Sequence, residues 1–126
     1  MGNPTYTPLV ESWHNGGFLV SQAPGHQSFE QGTLTGGAKV LAGTVLGTVT
    51  ATGKYKTYDP SNTDGSQTPS GILFATKDAT SADKPCTVVK RLAEVNASEL
   101  IWAADVTGTA LTTALAGLVA ITIIPR

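Results

Sequence analysis

The sequence predicts a mainly β domain, an α+β chain with one short helix, preceded by an extended N-terminal arm. Three observations predict it. Residues 17–126 break into short apolar and β-branched runs, each closed by Gly, Pro, Asn or Asp, the punctuation of strands and tight turns. One segment alone, Thr109–Leu118, has helical spacing, with Leu111, Leu115 and Leu118 at i, i+4 and i+7. The first 36 or so residues are rich in Pro, Gly, Asn and Ser and hold isolated large side chains, Tyr6, Leu9, Val10, Trp13, Phe18 and Phe29. These have too few apolar neighbours to offset the entropy of ordering, so the arm needs order from its own domain or from a partner.

The strands follow in turn. Phe18–Ser21 is a brief apolar run closed by Ala23-Pro24-Gly25, and Gln27–Leu34 is a strand ended by Thr35-Gly36-Gly37. Val40-Leu41 leads through Ala42-Gly43 into Thr44–Thr50, where Val45 and Val49 favour a strand and Gly47 marks a bulge or a close backbone approach. Lys54–Tyr58 alternates like a half-buried strand. Asp59–Ser70 is a long loop of turn formers, and Gly71–Ala75 is a continuous apolar strand suited to the core. Asp78–Lys84 is a polar turn and Cys86–Val95 a further strand. Leu100-Ile101-Trp102 is a short apolar stop, with Trp102 a core or subunit-interface anchor. The helix takes an N-cap hydroxyl from Thr107 or Thr109, has Asp105 near its positive end, and is weakened by Gly117. Val119–Ile124 is β-branched and reads as the terminal strand.

Composition narrows the function. The net charge is −1 and charged residues make up 13% of the chain, about half the ~25% of an ordinary globular protein. Such a surface gathers no nucleic acid, and its hydroxyl-rich character suits packing against copies or partners. Cys86 is the sole cysteine, so no intrachain disulfide forms. Met1–Pro8 lacks the basic start and apolar run of a signal peptide. Val106–Pro125 is uncharged and long enough for a bilayer span, but Thr107, Gly108, Thr109, Thr112, Thr113, Gly117 and Thr122 dilute it. A helix running into a buried strand accounts for it better, and no membrane partner is expected.

No catalytic, metal or cofactor set emerges. The two histidines, His14 and His26, fall in the arm and at its junction, away from a rigid frame that would fix a nucleophile or ligand set. Pro60-Ser61-Asn62-Thr63-Asp64-Gly65 has the alternation of a calcium loop, but Pro60 stands at the first ligand position and Gly71 where the bidentate Glu belongs, so it reads as a turn. Gly16-Gly17 and Gly36-Gly37 lack the spacing of a phosphate cradle. Cys86 reads as a buried structural thiol. The aromatic residues of the arm differ in kind, because spaced along a polar segment they suit pockets on a partner.

Read in order, the chain resembles the lambda-type bacteriophage head decoration proteins. The matching pieces are Gly17-Phe18-Leu19-Val20-Ser21 with Gly25 and Ser28 downstream, and Leu41-Ala42-Gly43-Thr44-Val45-Leu46-Gly47. They continue with Asp64-Gly65-Ser66-Gln67-Thr68-Pro69-Ser70-Gly71-Ile72-Leu73 and Asp78-Ala79-Thr80, and end with Glu94-Val95-Asn96-Ala97-Ser98-Glu99-Leu100-Ile101-Trp102, a short helix and a β-branched strand. The likeness covers residues 17–124, and Ala103 stands where the family often has Pro.

The resemblance implies a small β-clip or incomplete-barrel domain over residues 17–126, with residues 1–16 as the arm. It implies a homotrimer, with no cofactor and no enzyme activity, on the outer surface of the expanded capsid at three-fold and quasi-three-fold positions. It implies assembly in the host bacterial cytoplasm, and trimers that clamp the major capsid protein against the pressure of packaged DNA. The arm, through Tyr6, Leu9, Val10 and Trp13, is then the capsid-binding element. Residues 2–17 reach about 50 Å when extended, at 3.3 Å per residue, which suits strand addition to a neighbouring subunit. A second reading, from another class, is a small β-type module binding carbohydrate or a cell surface, displayed on a virion. It requires Tyr55 and Tyr58 to line an exposed groove.

Overall fold

The computed structural model describes Gly2 and residues 14–126. Its strands are β1 (Leu19–Gln22), β2 (Phe29–Leu34), β3 (Lys39–Val40), β4 (Val45–Thr48), β5 (Tyr55–Thr57), β6 (Gly71–Leu73), β7 (Lys77–Asp78), β8 (Lys84–Val89), β9 (Ala93–Val95) and β10 (Ile123–Pro125). A 3₁₀ turn at Ala97–Glu99 and one helix, α1 (Thr109–Ala120), complete the described elements. No described helix is long and apolar enough to cross a membrane.

Five strands close a barrel in the order β2-β5-β4-β6-β8. Strands β2 and β8 pair antiparallel from Phe29↔Val89 to Leu34↔Lys84. Closure on the other side is slight, a single parallel pair, Leu34↔Tyr55. A separate sheet, β1-β9-β10, has β9 at its centre, antiparallel to β1 and parallel to β10. Helix α1 makes the crossover that a parallel pair needs.

Burial explains why β4, β6 and β8 carry consecutive apolar residues. Leu46, Leu73 and Val88 point into the barrel, with Leu34, Val40, Tyr55, Ala79 and Cys86. Their neighbours Val45, Ile72 and Val89 point outward into a second core, shared with Phe18, Val95, Ala114, Leu118 and Ile123. This wall is therefore covered on both faces, and such strands read as continuous hydrophobic runs. Strand β2 is different: Glu30 and Gln31 face solvent, and only Leu34 is fully enclosed.

Gly47 marks a close approach. A Cβ there would lie 2.5 Å from Ser66 Cα, so the 59–70 loop lies directly on β4. The loop is the turn the sequence predicts. Ser61 N–H and Oγ both donate to Asp59 Oδ1, at 2.9 and 2.7 Å, and Ser66 N–H and Oγ donate to Asp64 Oδ1, at 3.1 and 2.5 Å. The buried Ser66 hydroxyl also accepts from Asn62 Nδ2 at 2.8 Å.

Four expectations are corrected. Cys86–Val95 is two strands rather than one, because the chain leaves the barrel after Val89 and turns into the β9 sheet through Leu92, whose φ is 52°. The helix continues past Leu118 to Ala120, and Val119 belongs to it rather than to the last strand. Its N-cap is Gly108, at φ 56° and ψ −123°, with no capping hydroxyl from Thr107 or Thr109. The last strand is shortened to Ile123–Pro125 by a turn at Thr122, where φ is 65°. Gly117 has a packing role, since a Cβ there would lie 3.1 Å from Pro69 Cγ and the helix rests against that proline.

Candidate interaction surface

Tyr6, Leu9, Val10 and Trp13, the residues expected to anchor the arm, lie outside the described residues. The segment that follows them is held to the body. Gly16 N–H donates to the Phe74 carbonyl at 2.9 Å, and Thr76 N–H donates to Asn15 Oδ1 at 3.2 Å. Gly17 N–H returns to the His14 carbonyl at 3.0 Å, and Leu19 N–H to the Gly16 carbonyl at 3.0 Å. The chain thus passes through a tight turn and enters β1. Phe18 at the end of that turn is buried in the outer core, and its carbonyl accepts from Asn96 N–H at 2.8 Å.

Trp102 is half-buried, packed against the outer core and edge-on to Tyr58, with ring centroids 6.2 Å apart. Tyr58 itself is buried, and burial raises its phenol pKa, helped by the carboxylates of Asp105 and Asp59. Tyr55 is buried in the barrel, with Lys90 Nζ over its ring at 5.1 Å. Neither tyrosine lines an exposed groove, which removes the feature that a carbohydrate-binding reading requires.

Chemistry is sparse on this surface. Both histidines are exposed. Among the described residues, no three His, Cys, Asp or Glu side chains gather to hold a metal ion. Cys86 is enclosed in the barrel, and burial pushes its thiol above its ordinary pKa, away from the reactive thiolate.

The surface does carry an apolar depression of about 400 Å³ over the β1-β9-β10 sheet. Leu92, Val119 and Ile124 line it and belong to the few large hydrophobic side chains exposed in the described residues. At its polar margin Glu94 accepts from Ser21 Oγ at 2.8 Å and from the Arg126 guanidinium. The Arg126 contact, then the Ser21 hydroxyl, hold the Glu94 carboxyl below its usual pKa. The sheet edges beside the depression are blunted. Strand β1 has an irregularity between Leu19 and Ser21, and β10 ends in Pro125. Bulges and edge prolines both discourage unplanned strand pairing.

Hydrophobic periodicity could not find the depression. Leu92 and Ile124 look like core residues in sequence, yet beside the left-handed turns at Leu92 and Thr122 both are turned out. A model of the family described as bacteriophage lambda head decoration protein D matches residues 8–123, nearly the whole chain. No curated protein matches it.

Proposed function

The chain belongs to the bacteriophage lambda head decoration protein family, and on that premise we propose that it binds as trimers to the outside of the expanded phage head. The coarser role, a structural protein decorating the capsid surface, follows from membership. The finer account is that the trimers occupy three-fold and quasi-three-fold positions and clamp the major capsid protein against the pressure of packaged DNA. Residues 1–16 form the tether, and Tyr6, Leu9, Val10 and Trp13 are its anchors on the shell.

The single observation that carries this reading is the match over residues 8–123, which includes Leu9, Val10 and Trp13 within the family's span. Three features support it. The chain is low in charge, so close contacts need desolvate few ionic groups. Exposed apolar surface over the β1-β9-β10 sheet suits association with protein. The arm suits strand addition, in which backbone hydrogen bonds give affinity and alternate side chains give register. Mixing purified protein with expanded and unexpanded heads, and counting bound copies, tests the proposal. Binding to expanded heads supports it, and its absence rejects it.

A further inference from the structure

The turn that roots the arm has a construction that a simple linker does not need. Gly16 sits at φ +69°, a conformation that costs a side-chain-bearing residue energy. A Cβ on Gly16 would lie 2.6 Å from Phe74 Cε2, so the aromatic ring occupies the space that any other residue would fill. The ring is half-buried and already packed on one side. Phe29 packs edge-on against it, with centroids 5.4 Å apart and planes at 80°. The segment on which it rides is tied at two points, to barrel strand β8 and to the connection between β3 and β4. Phe74 N–H donates to the Thr87 carbonyl of β8 at 3.0 Å, and the Thr76 hydroxyl accepts from Ala42 N–H at 2.9 Å. Onto this fixed loop the chain places the Gly16-to-Phe74 bond and the Thr76-to-Asn15 bond.

We propose that Asn15, Gly16 and Phe74 form a clamp that fixes where and in which direction the capsid-binding arm leaves the body. The inference rests on the arm being the capsid-binding element, and adds positioning residues for it. The physical gain is preorganisation. A tether whose root is already set surrenders less orientational freedom when its anchors dock, and the saving appears as affinity. Glycine is required because only glycine accepts both the left-handed backbone and the ring against its Cα. Asn15 Oδ1 accepts from Thr76 N–H, which fastens the residue before Gly16. These are positioning residues: they act through the anchors and need not touch the shell.

A double-mutant cycle tests the clamp. The dissociation constant for expanded heads is measured for the full chain, for Gly16→Ala, for a chain lacking residues 2–13, and for the combination. Melting temperature and oligomeric size of each free protein are recorded alongside. The clamp predicts that Gly16→Ala weakens head binding about tenfold in the full chain, the equivalent of about 1.4 kcal/mol, and has no further effect once residues 2–13 are gone. Interaction energies of this kind separate acting through the arm from loosening the body. Equal loss in both backgrounds means that Gly16 is merely structural and overturns the clamp. Full-strength binding by Gly16→Ala overturns it too. Asn15→Ala, which removes one exposed hydrogen bond, enters the same cycle with the same expected pattern and keeps the test open should Gly16→Ala fail to fold. If deleting residues 2–13 alone leaves binding intact, the arm reading itself has failed, an outcome distinct from failure of the clamp.

Discussion

The backbone N–H of Leu92 donates to the Thr122 hydroxyl across 2.9 Å, and both residues hold left-handed conformations, at φ 52° and 65°. The two turns lead into β9 and β10, which pair in parallel. Ala93 N–H reaches the Thr122 carbonyl at 3.2 Å, so each unfavourable turn is held by the other. Neither residue is glycine, and a left-handed conformation costs a non-glycine residue roughly 1–2 kcal/mol. Leu92 is also 46% exposed, so little burial offsets the cost.

Replacing Leu92 by asparagine, which tolerates this conformation, should therefore stabilise the free protein by about 0.5–1 kcal/mol. Denaturant unfolding checks it as a raised midpoint with an unchanged slope. A lowered midpoint would show that the leucine is held by contacts worth more than the strain.

Gly47→Ala should act in the opposite sense. The added methyl meets the Ser66 backbone, which cannot move as the tip of a side chain can. Overpacking of this kind costs roughly 1–3 kcal/mol, read as a lowered unfolding midpoint. Gly53→Asn, at φ +71° with open space around it, is the control and should change stability far less.

Acid should weaken the protein through its surface aspartates. Asp64 is held to about 2, from an ordinary 3.8, by Ser66 Oγ and N–H and then by Lys56. Asp59, Asp78 and Asp83 are lowered as well, chiefly by hydrogen bonds from Ser61, Thr80 and Lys54. A carboxyl with a depressed folded-state pKa binds protons more readily when unfolded. Its contribution is complete above the unfolded value and is lost as pH falls through the folded one. Stability should therefore be flat above about pH 5 and fall between about pH 4 and 2. Asp64→Asn should flatten part of that slope, which thermal melts across the range would register.

Cys86 should resist modification. Its thiol is enclosed in the barrel and raised in pKa, so a thiol-reactive dye should label it at the rate of unfolding rather than on mixing. Fast labelling of native protein would contradict the enclosed barrel.

Much of this fold was legible because its strands obey local rules. The run Gly71-Ile72-Leu73 announces burial on both faces, and Asp59–Ser70 is full of residues that bond their own backbone. Two kinds of feature were not legible. Tertiary context turned the chain at Leu92 and Thr122 against their intrinsic preference, which divided one apparent strand and shortened another. Contacts between distant segments were equally silent: nothing in Asn15-Gly16 announces Phe74, and nothing in Gly117 announces Pro69. The proposed interaction surface divides in the same way. The arm stands out by composition, whereas its root and the Leu92–Val119–Ile124 depression depend on how separate elements meet.

The central claim is that this protein decorates an expanded head through its arm. The most direct measurement counts copies bound per expanded head, by sedimentation and then imaging, for the full chain and for the chain lacking residues 2–16. The account predicts saturable binding of the full chain as trimers at three-fold positions, little binding to unexpanded heads, and much weaker binding of a truncated protein that is still folded. Equal occupancy by the truncated chain, or no binding of the full chain to expanded heads, would contradict it.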